Sequence, residues 1–196
     1  MKNQTFIHSL RSMMPVLFIV AASLLAGCSD DPVSANEEEV ITTFTVTLTL
    51  FDNPAPQPGD TIRLTWDDAN LDALVDVSEV SASGPLRANE TYRASIQMLS
   101  KGIGSEVDIT EEIAEEADEH IFCFSKANVN IAITNPDTDT HKRPLGLTST
   151  WTTTTASAGT VTITLRHQPG VKTGDCPGAG ETDASITFPV EVAAGE

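Results

Sequence analysis

The sequence is poor in aromatic and basic side chains. It has one Tyr, two Trp and seven Phe, and 11 Lys and Arg stand against 28 Asp and Glu. So few aromatic rings disfavour a carbohydrate-binding face. The formal charge of −17 repels nucleic acid and anionic lipid headgroups. The excess of acids suits divalent cations or basic partners, although solubility alone also explains it.

Common catalytic motifs are absent from the sequence. There is no G-x-S-x-G, no H-E-x-x-H, no P-loop and no dinucleotide fingerprint. The many paired carboxylates have the pattern of a solvated helix face. We therefore predict that the protein is not an enzyme.

The first 28 residues have the order of a lipoprotein signal peptide. Positive Lys2 and Arg11 accompany an apolar run at 13–26, which is too short to span a membrane. Leu25-Ala26-Gly27-Cys28 then has the form of a lipobox, which makes Cys28 the lipidated residue. Two or more acyl chains, such as palmitate, anchor a protein stably. The alternative is an ordinary signal peptide with a chance Cys.

The sequence divides into a signal peptide (1–27), an acidic flexible tether (28–38) and a folded domain (39–196). Without residues 1–27, the 169-residue chain has nine basic and 28 acidic side chains, a formal charge of −19. Ser29 is not the inner-membrane retention residue of many Gram-negative lipoproteins. The acids that follow it resemble the surface-export signal of Bacteroidota lipoproteins. We expect an outer-membrane location, with the cell surface favoured over the periplasmic face.

Two cysteines remain once Cys28 is lipidated. Cys123 and Cys176 form an even pair, which in an oxidising compartment favours a disulfide. Two buried free thiols or a thiolate metal site are the alternatives.

Most of the folded domain alternates apolar and polar residues with the period of half-buried β-strands. The apolar positions of these runs are Phe44-Val46-Leu48-Leu50, Ile62-Leu64-Trp66, Tyr92-Ala94-Ile96-Met98, Val129-Ile131-Ile133, Leu145-Leu147-Trp151, Val161-Ile163-Leu165 and Ile186-Phe188-Val190-Val192. With a further strand at 121–124, seven or eight short strands predict an all-β, antiparallel, immunoglobulin-like β-sandwich. Trp66 and Trp151 have the parity of core residues and are predicted to be buried.

One segment, 108–120, reads as a helix. Asp108 is a suitable N-cap with Glu111 three residues on, and Ile109, Ile113 and Ala117 form an apolar stripe. His120 would close its last turn, where a cation is favoured. We expect a short helix that crosses between the two sheets.

The loop 68–79 has the oxygen spacing of a calcium site. With Asp68 as position 1, side-chain oxygens fall at positions 1, 3, 5, 9 and 12, which are Asp68, Asn70, Asp72, Asp76 and Glu79. Position 6, usually Gly, is Ala73, and the flanking segments read as strands. A solvated loop without calcium is the alternative.

A transition-metal site at His120 and His167 is a second interpretation. His167 has the parity of Val161 and is predicted to face inward, and Glu181 and Asp183 precede the last strand. No Cys or His spacing motif supports the site, so a structural His at a sheet rim is the alternative. The acidic loop 135–141 is explained by a hairpin turn, with metal binding as its alternative.

Several segments together resemble a group of small, uncharacterised Bacteroidota lipoproteins. They are Glu37–Thr43, Asp108–Ile113, Glu116–His120, Thr162–Pro169 and Gly180–Asp183. Members carry an Asp-rich loop with glycines where this chain has 67–76 without them. Such sequences are sometimes labelled as type 1 periplasmic binding folds, a two-lobed α/β architecture that one predicted helix contradicts. The resemblance implies a location and a β-rich domain.

These observations predict a lipid-anchored, non-enzymatic lipoprotein that binds a ligand or a partner protein. The partner could be an outer-membrane receptor or an uptake protein to which this chain is accessory. A lipoprotein that binds calcium or a transition metal is the alternative.

Overall fold

The computed structural model describes residues 40–51, 60–72, 74–102, 105–134 and 137–194. The predicted signal peptide, the tether and Cys28 lie outside the described residues. In the described part, two packed sheets and one α-helix confirm the predicted all-β sandwich. The two-lobed α/β architecture is not the fold of these residues.

Eleven strands and one α-helix follow one another in the described residues. In chain order they are β1 (Thr43–Leu50), β2 (Thr61–Asp67), β3 (Val80–Ala82), β4 (Leu86–Arg87), β5 (Thr91–Gly102), β6 (Ser105–Asp108), α1 (Ile109–Glu115), β7 (His120–Ala127), β8 (Ile131–Thr134), β9 (Thr148–Thr153), β10 (Ser157–His167) and β11 (Glu181–Ala193).

The larger sheet has the strand order β3-β2-β1-β5-β9-β8, and β6 also pairs with β5. The smaller sheet has the order β4-β11-β10-β7. All pairs are antiparallel except β11 with β4, which run parallel. The predicted antiparallel sandwich is therefore confirmed, apart from one short parallel pair, but the prediction gave seven or eight strands where the described residues form eleven. It missed β3 and β4, which have three and two residues, and β6, whose four residues are all exposed and show no apolar side.

The alternating apolar residues face each other between the sheets. Phe44 of the larger sheet packs against Phe122 and Phe188 of the smaller one, with ring centroids 6.3 and 6.0 Å apart. Trp66 and Trp151 are 3% and 0% exposed, so their predicted burial is confirmed. Neither indole is available as a platform for sugar stacking.

The helix α1 crosses from β6 of the larger sheet to β7 of the smaller sheet, as predicted. The side chain of Asp108 accepts a hydrogen bond from the N–H of Thr110 at 2.9 Å, which confirms the N-cap. Ile109 and Ile113 are buried in the core.

The predicted C-terminal end of the helix was wrong, because α1 stops at Glu115 rather than His120. The acids of 115–119 are unfavourable beside the negative end of the helix dipole. His120 is instead the first residue of β7, where it pairs with His167 of β10. This register places both imidazoles at one end of the sandwich.

Candidate functional site

The two histidines form a stacked pair at this end of the sandwich. Their ring centroids are 4.6 Å apart and their planes are 9° from parallel. The side chain of His120 is 1% exposed and that of His167 is 13% exposed. The prediction that His167 faces inward is confirmed, and the structure brings together the two histidines of the proposed transition-metal site.

The turn that follows α1 supplies two acids to the histidine pair. The Nδ1 of His120 lies 3.2 Å from the carbonyl oxygen of Glu116 and 4.0 Å from Glu116 Oε2. The Nε2 of His167 lies 3.5 Å from Glu119 Oε2. One ligand atom each from Glu116, His120 and His167 lie within 4.8 Å of one another. Sequence reasoning missed Glu116, although its spacing of four residues from His120 was available.

Burial controls the charge of His120. Desolvation lowers the pKa of His120 to about 4, because the contact with Glu116 O and the charge of Glu119 oppose it only in part. The nearby His167 lowers the pKa further. His120 is therefore neutral at pH 7, the form that a metal ion requires. Glu181, which sequence reasoning placed near this site, is the cross-strand neighbour of His167.

A buried ion pair lies beside the histidine pair. The side chains of Lys172 and Asp139 are fully buried, with Lys172 Nζ 3.1 Å from Asp139 Oδ2. Arg143 Nε donates to the same oxygen at 2.7 Å. Lys172 Nζ also donates to the carbonyl oxygen of Ala117 at 2.8 Å. This network joins the turn after α1, the loop before β9 and the loop after β10.

The same network keeps Asp139 ionised. Burial by itself raises the pKa of Asp139. The N–H of Arg143, then Lys172 and the Arg143 side chain, outweigh burial and lower the pKa to about 2. Asp118, Asp139 and His141 also bring ligand atoms within 4.8 Å of one another. Because Arg143 and Lys172 already neutralise Asp139, we assign this second cluster to structure rather than to metal binding.

The acidic loop 135–141 is described only from Asp137 onward. The N–H of Asp139 donates to the carbonyl oxygen of Arg143 at 2.9 Å, and Thr138 bridges antiparallel to Pro144. These contacts agree with the predicted hairpin turn.

A disulfide covers the outer side of this end of the sandwich. Cys123 and Cys176 are bonded, which confirms the predicted disulfide and excludes two free thiols or a thiolate metal site. The bond fastens the loop after β10 to β7. Gln168 in that loop is fully buried and donates to the carbonyl oxygen of Ala179 at 2.5 Å.

The predicted calcium residues lie between β2 and β3, but their side chains serve the loop itself. Asp68 and Asn70 both accept from the N–H of Asp72, at 3.2 and 3.1 Å. Glu79 accepts from the N–H of Ala69 at 3.2 Å.

The five predicted calcium ligands differ in their exposure to solvent. Asp68 is buried, Glu79 is half-buried, and Asn70, Asp72 and Asp76 are exposed. Within the described part of the chain, no three of these four carboxylates bring ligand atoms within 4.8 Å of one another. The structure therefore does not gather the five residues, and calcium stays a prediction from the sequence.

The same loop exposes four large aliphatic side chains, which we call the aliphatic loop. Leu71, Leu74, Val75 and Val77 are 54%, 64%, 41% and 90% exposed. Sequence reasoning missed them because it followed the acids between them. The indication was four aliphatic residues within seven positions that fit neither a helical nor a strand period.

A groove of about 430 Å³ lies beside the aliphatic loop. Val75, Val77 and Val80 form one wall, and β10 and β11 contribute Thr160, Ser185, Thr187 and Pro189 to the other. The groove is therefore apolar on one side and carries hydroxyl groups on the other.

No helix among the described residues is long and apolar enough to cross a membrane. No protein-family model, curated protein or solved structure matches this chain.

Proposed function

We propose that this protein is a lipid-anchored, non-enzymatic lipoprotein of the outer membrane that binds a partner protein through the aliphatic loop. The observation that carries the proposal is the exposure of Leu71, Leu74, Val75 and Val77 on one loop. Single exposed aliphatic residues are ordinary, but four on one loop, two of which line a groove, are typical of an interaction surface.

The charge around the aliphatic loop favours a partner with basic residues. Asp72 and Asp76 are exposed between the aliphatic side chains, and the whole chain carries a formal charge of −17. Such a surface repels anionic lipid headgroups and attracts a basic surface. The partner we propose is an apolar and basic surface of an envelope protein, such as an uptake receptor.

The anchor supports this function by keeping the domain at the membrane. We expect Cys28→Ser to abolish incorporation of labelled palmitate and to release the protein from the membrane fraction, because the acylated thiol is lost. The measurement is metabolic labelling followed by fractionation, with Ser34→Ala as the control that keeps both Cys28 and the disulfide. Protease treatment of intact cells distinguishes the surface from the periplasmic face. Continued labelling of Cys28→Ser would exclude the proposed anchor.

The binding surface is tested by photo-crosslinking in intact cells. A photoreactive residue at position 77 is expected to yield one discrete adduct with an envelope protein. The same residue at position 107 serves as control, since Val107 is also exposed, at 51%, but lies on β6 outside the loop.

A second test of partner binding places a charge in the aliphatic loop. Val77→Asp should reduce recovery of that partner at least about tenfold, which corresponds to about 1.4 kcal/mol. The melting temperature of the Val77→Asp variant should be unchanged, because the side chain of Val77 is exposed. Equal adducts from positions 77 and 107 would contradict the proposal.

A further inference from the structure

We propose that Glu116, His120 and His167 form a binding site for a transition-metal ion of the Zn²⁺ class. This site is separate from the aliphatic loop and does not depend on partner binding. The three ligands come from the turn after α1, from β7 and from β10. Only the folded chain brings them together, since the two histidines are 47 positions apart in the sequence.

The donor set matches this class of metal. Two imidazole nitrogens and one carboxylate oxygen suit Zn²⁺, whereas Ca²⁺ and Mg²⁺ require oxygen ligands. The ligand atoms lie within 4.8 Å of one another. In a tetrahedral zinc site, bonds of about 2.0–2.1 Å place ligand atoms roughly 3.3 Å apart. The distances between the ligand atoms would therefore have to shorten by up to about 1.5 Å for the three residues to fill three of the four ligand positions. Water would fill the fourth.

An unsatisfied nitrogen points to a ligand at this position. Within the described part of the chain, the buried Nε2 of His167 makes no hydrogen bond. Glu119 Oε2 lies 3.5 Å away but not in hydrogen-bonding geometry. Buried polar atoms are almost always satisfied by protein, water or an ion.

The local charge also suits a divalent cation. Glu116 and Glu119 bring two carboxylates to the histidine pair. A bound divalent ion would therefore balance the site. The Nδ1 of His120 contacts the carbonyl oxygen of Glu116, so Nε2 is the nitrogen of this ring that we assign to the metal ion.

Metal binding requires one ring to turn. A metal ion lies near the plane of each imidazole that binds it. The two rings are 9° from parallel with centroids 4.6 Å apart, so no position close to both nitrogens lies in both ring planes. His120 is held among β7, β10 and the end of α1. His167 ends β10 and is the more exposed of the two. Binding therefore turns the His167 ring out of the stack.

The test is titration of untagged, chelator-treated protein with Co²⁺, read by visible absorption, followed by displacement with Zn²⁺. We expect one ion per chain, no competition from Ca²⁺, and a rise in melting temperature of about 5–10 °C when free Zn²⁺ is 100 times its Kd.

Two variants and a control locate the site. His167→Gln and Glu116→Gln should each weaken binding by more than about 100-fold, since second-sphere substitutions alone cost 10–100-fold. His141→Gln removes the exposed histidine of the second cluster and should bind as the unchanged protein does. Circular dichroism of each variant verifies folding without metal.

Three results would overturn the assignment: no uptake by the unchanged protein, equal uptake by His167→Gln, or loss of uptake in His141→Gln. None of them affects the crosslink from position 77, so failure of the metal site and failure of partner binding are separate outcomes.

Discussion

Reduction of the Cys123–Cys176 disulfide is expected to lower the free energy of unfolding by about 4 kcal/mol. The bond closes a loop with a sequence separation of 53 residues, and the chain-entropy model gives about this value for such a loop. For a domain of this size the melting temperature should fall by roughly 8–16 °C. The physical reason is that the reduced unfolded chain regains freedom that the crosslink had removed.

The measurement is chemical unfolding of the protein with and without a thiol reductant. The Cys123→Ala, Cys176→Ala double variant should unfold like the reduced protein, and reductant should not change it further. Cys123 is 9% exposed, so a larger loss in the double variant than in the reduced protein reports lost packing. Reduction that leaves stability unchanged would show that the loop after β10 is held without the crosslink.

Removal of the buried ammonium group should have an effect of similar size. Lys172→Met is expected to cost about 3 kcal/mol, because it leaves the fully buried Asp139 with Arg143 as its only neighbouring cation of this network. Lys142→Met is the matched control, since Lys142 lies in the same loop as Asp139 and is exposed. Urea unfolding of both variants measures the difference, and equal stabilities would show that the pair contributes nothing net.

The pH dependence of unfolding tests the other partner of this pair. The folded pKa of Asp139, about 2, lies below the unfolded value of about 3.9. Its stabilising contribution is therefore complete above about pH 4 and is lost as the pH falls through about 2. The difference amounts to about 2–3 kcal/mol. Unfolding between pH 5 and pH 2 should show this loss in the unchanged protein and a flatter profile in Asp139→Asn.

Local patterns in the sequence were enough for much of the fold. Eight of the strands, the N-cap at Asp108 and the burial of Trp66 and Trp151 follow from the order of side chains alone. Both the two-residue alternation of a strand and the N-cap of a helix depend only on residues that are close in the sequence. Of the three strands that were missed, β3 and β4 have only three and two residues, and β6 is exposed throughout, so none shows an apolar side with a period of two.

The candidate sites behaved differently because they depend on contacts between distant residues. The oxygen spacing at 68–79 predicts calcium, and in the folded loop the side-chain oxygens of Asp68, Asn70 and Glu79 accept N–H groups of the loop itself. Side chains that stabilise a turn and side chains that bind an ion have the same spacing in the sequence. The spacing alone therefore does not separate the two roles, and calcium stays a prediction.

By itself, the sequence determined the sandwich class and predicted the disulfide between Cys123 and Cys176. Strand order and register decided what meets at its end: His120 opposite His167, Glu116 beside them, and Lys172 against Asp139. The tertiary structure also decided that the aliphatic loop faces solvent. The physical reason is that alternation is encoded between neighbours, whereas a site depends on which distant strands pair and where the helix between them stops.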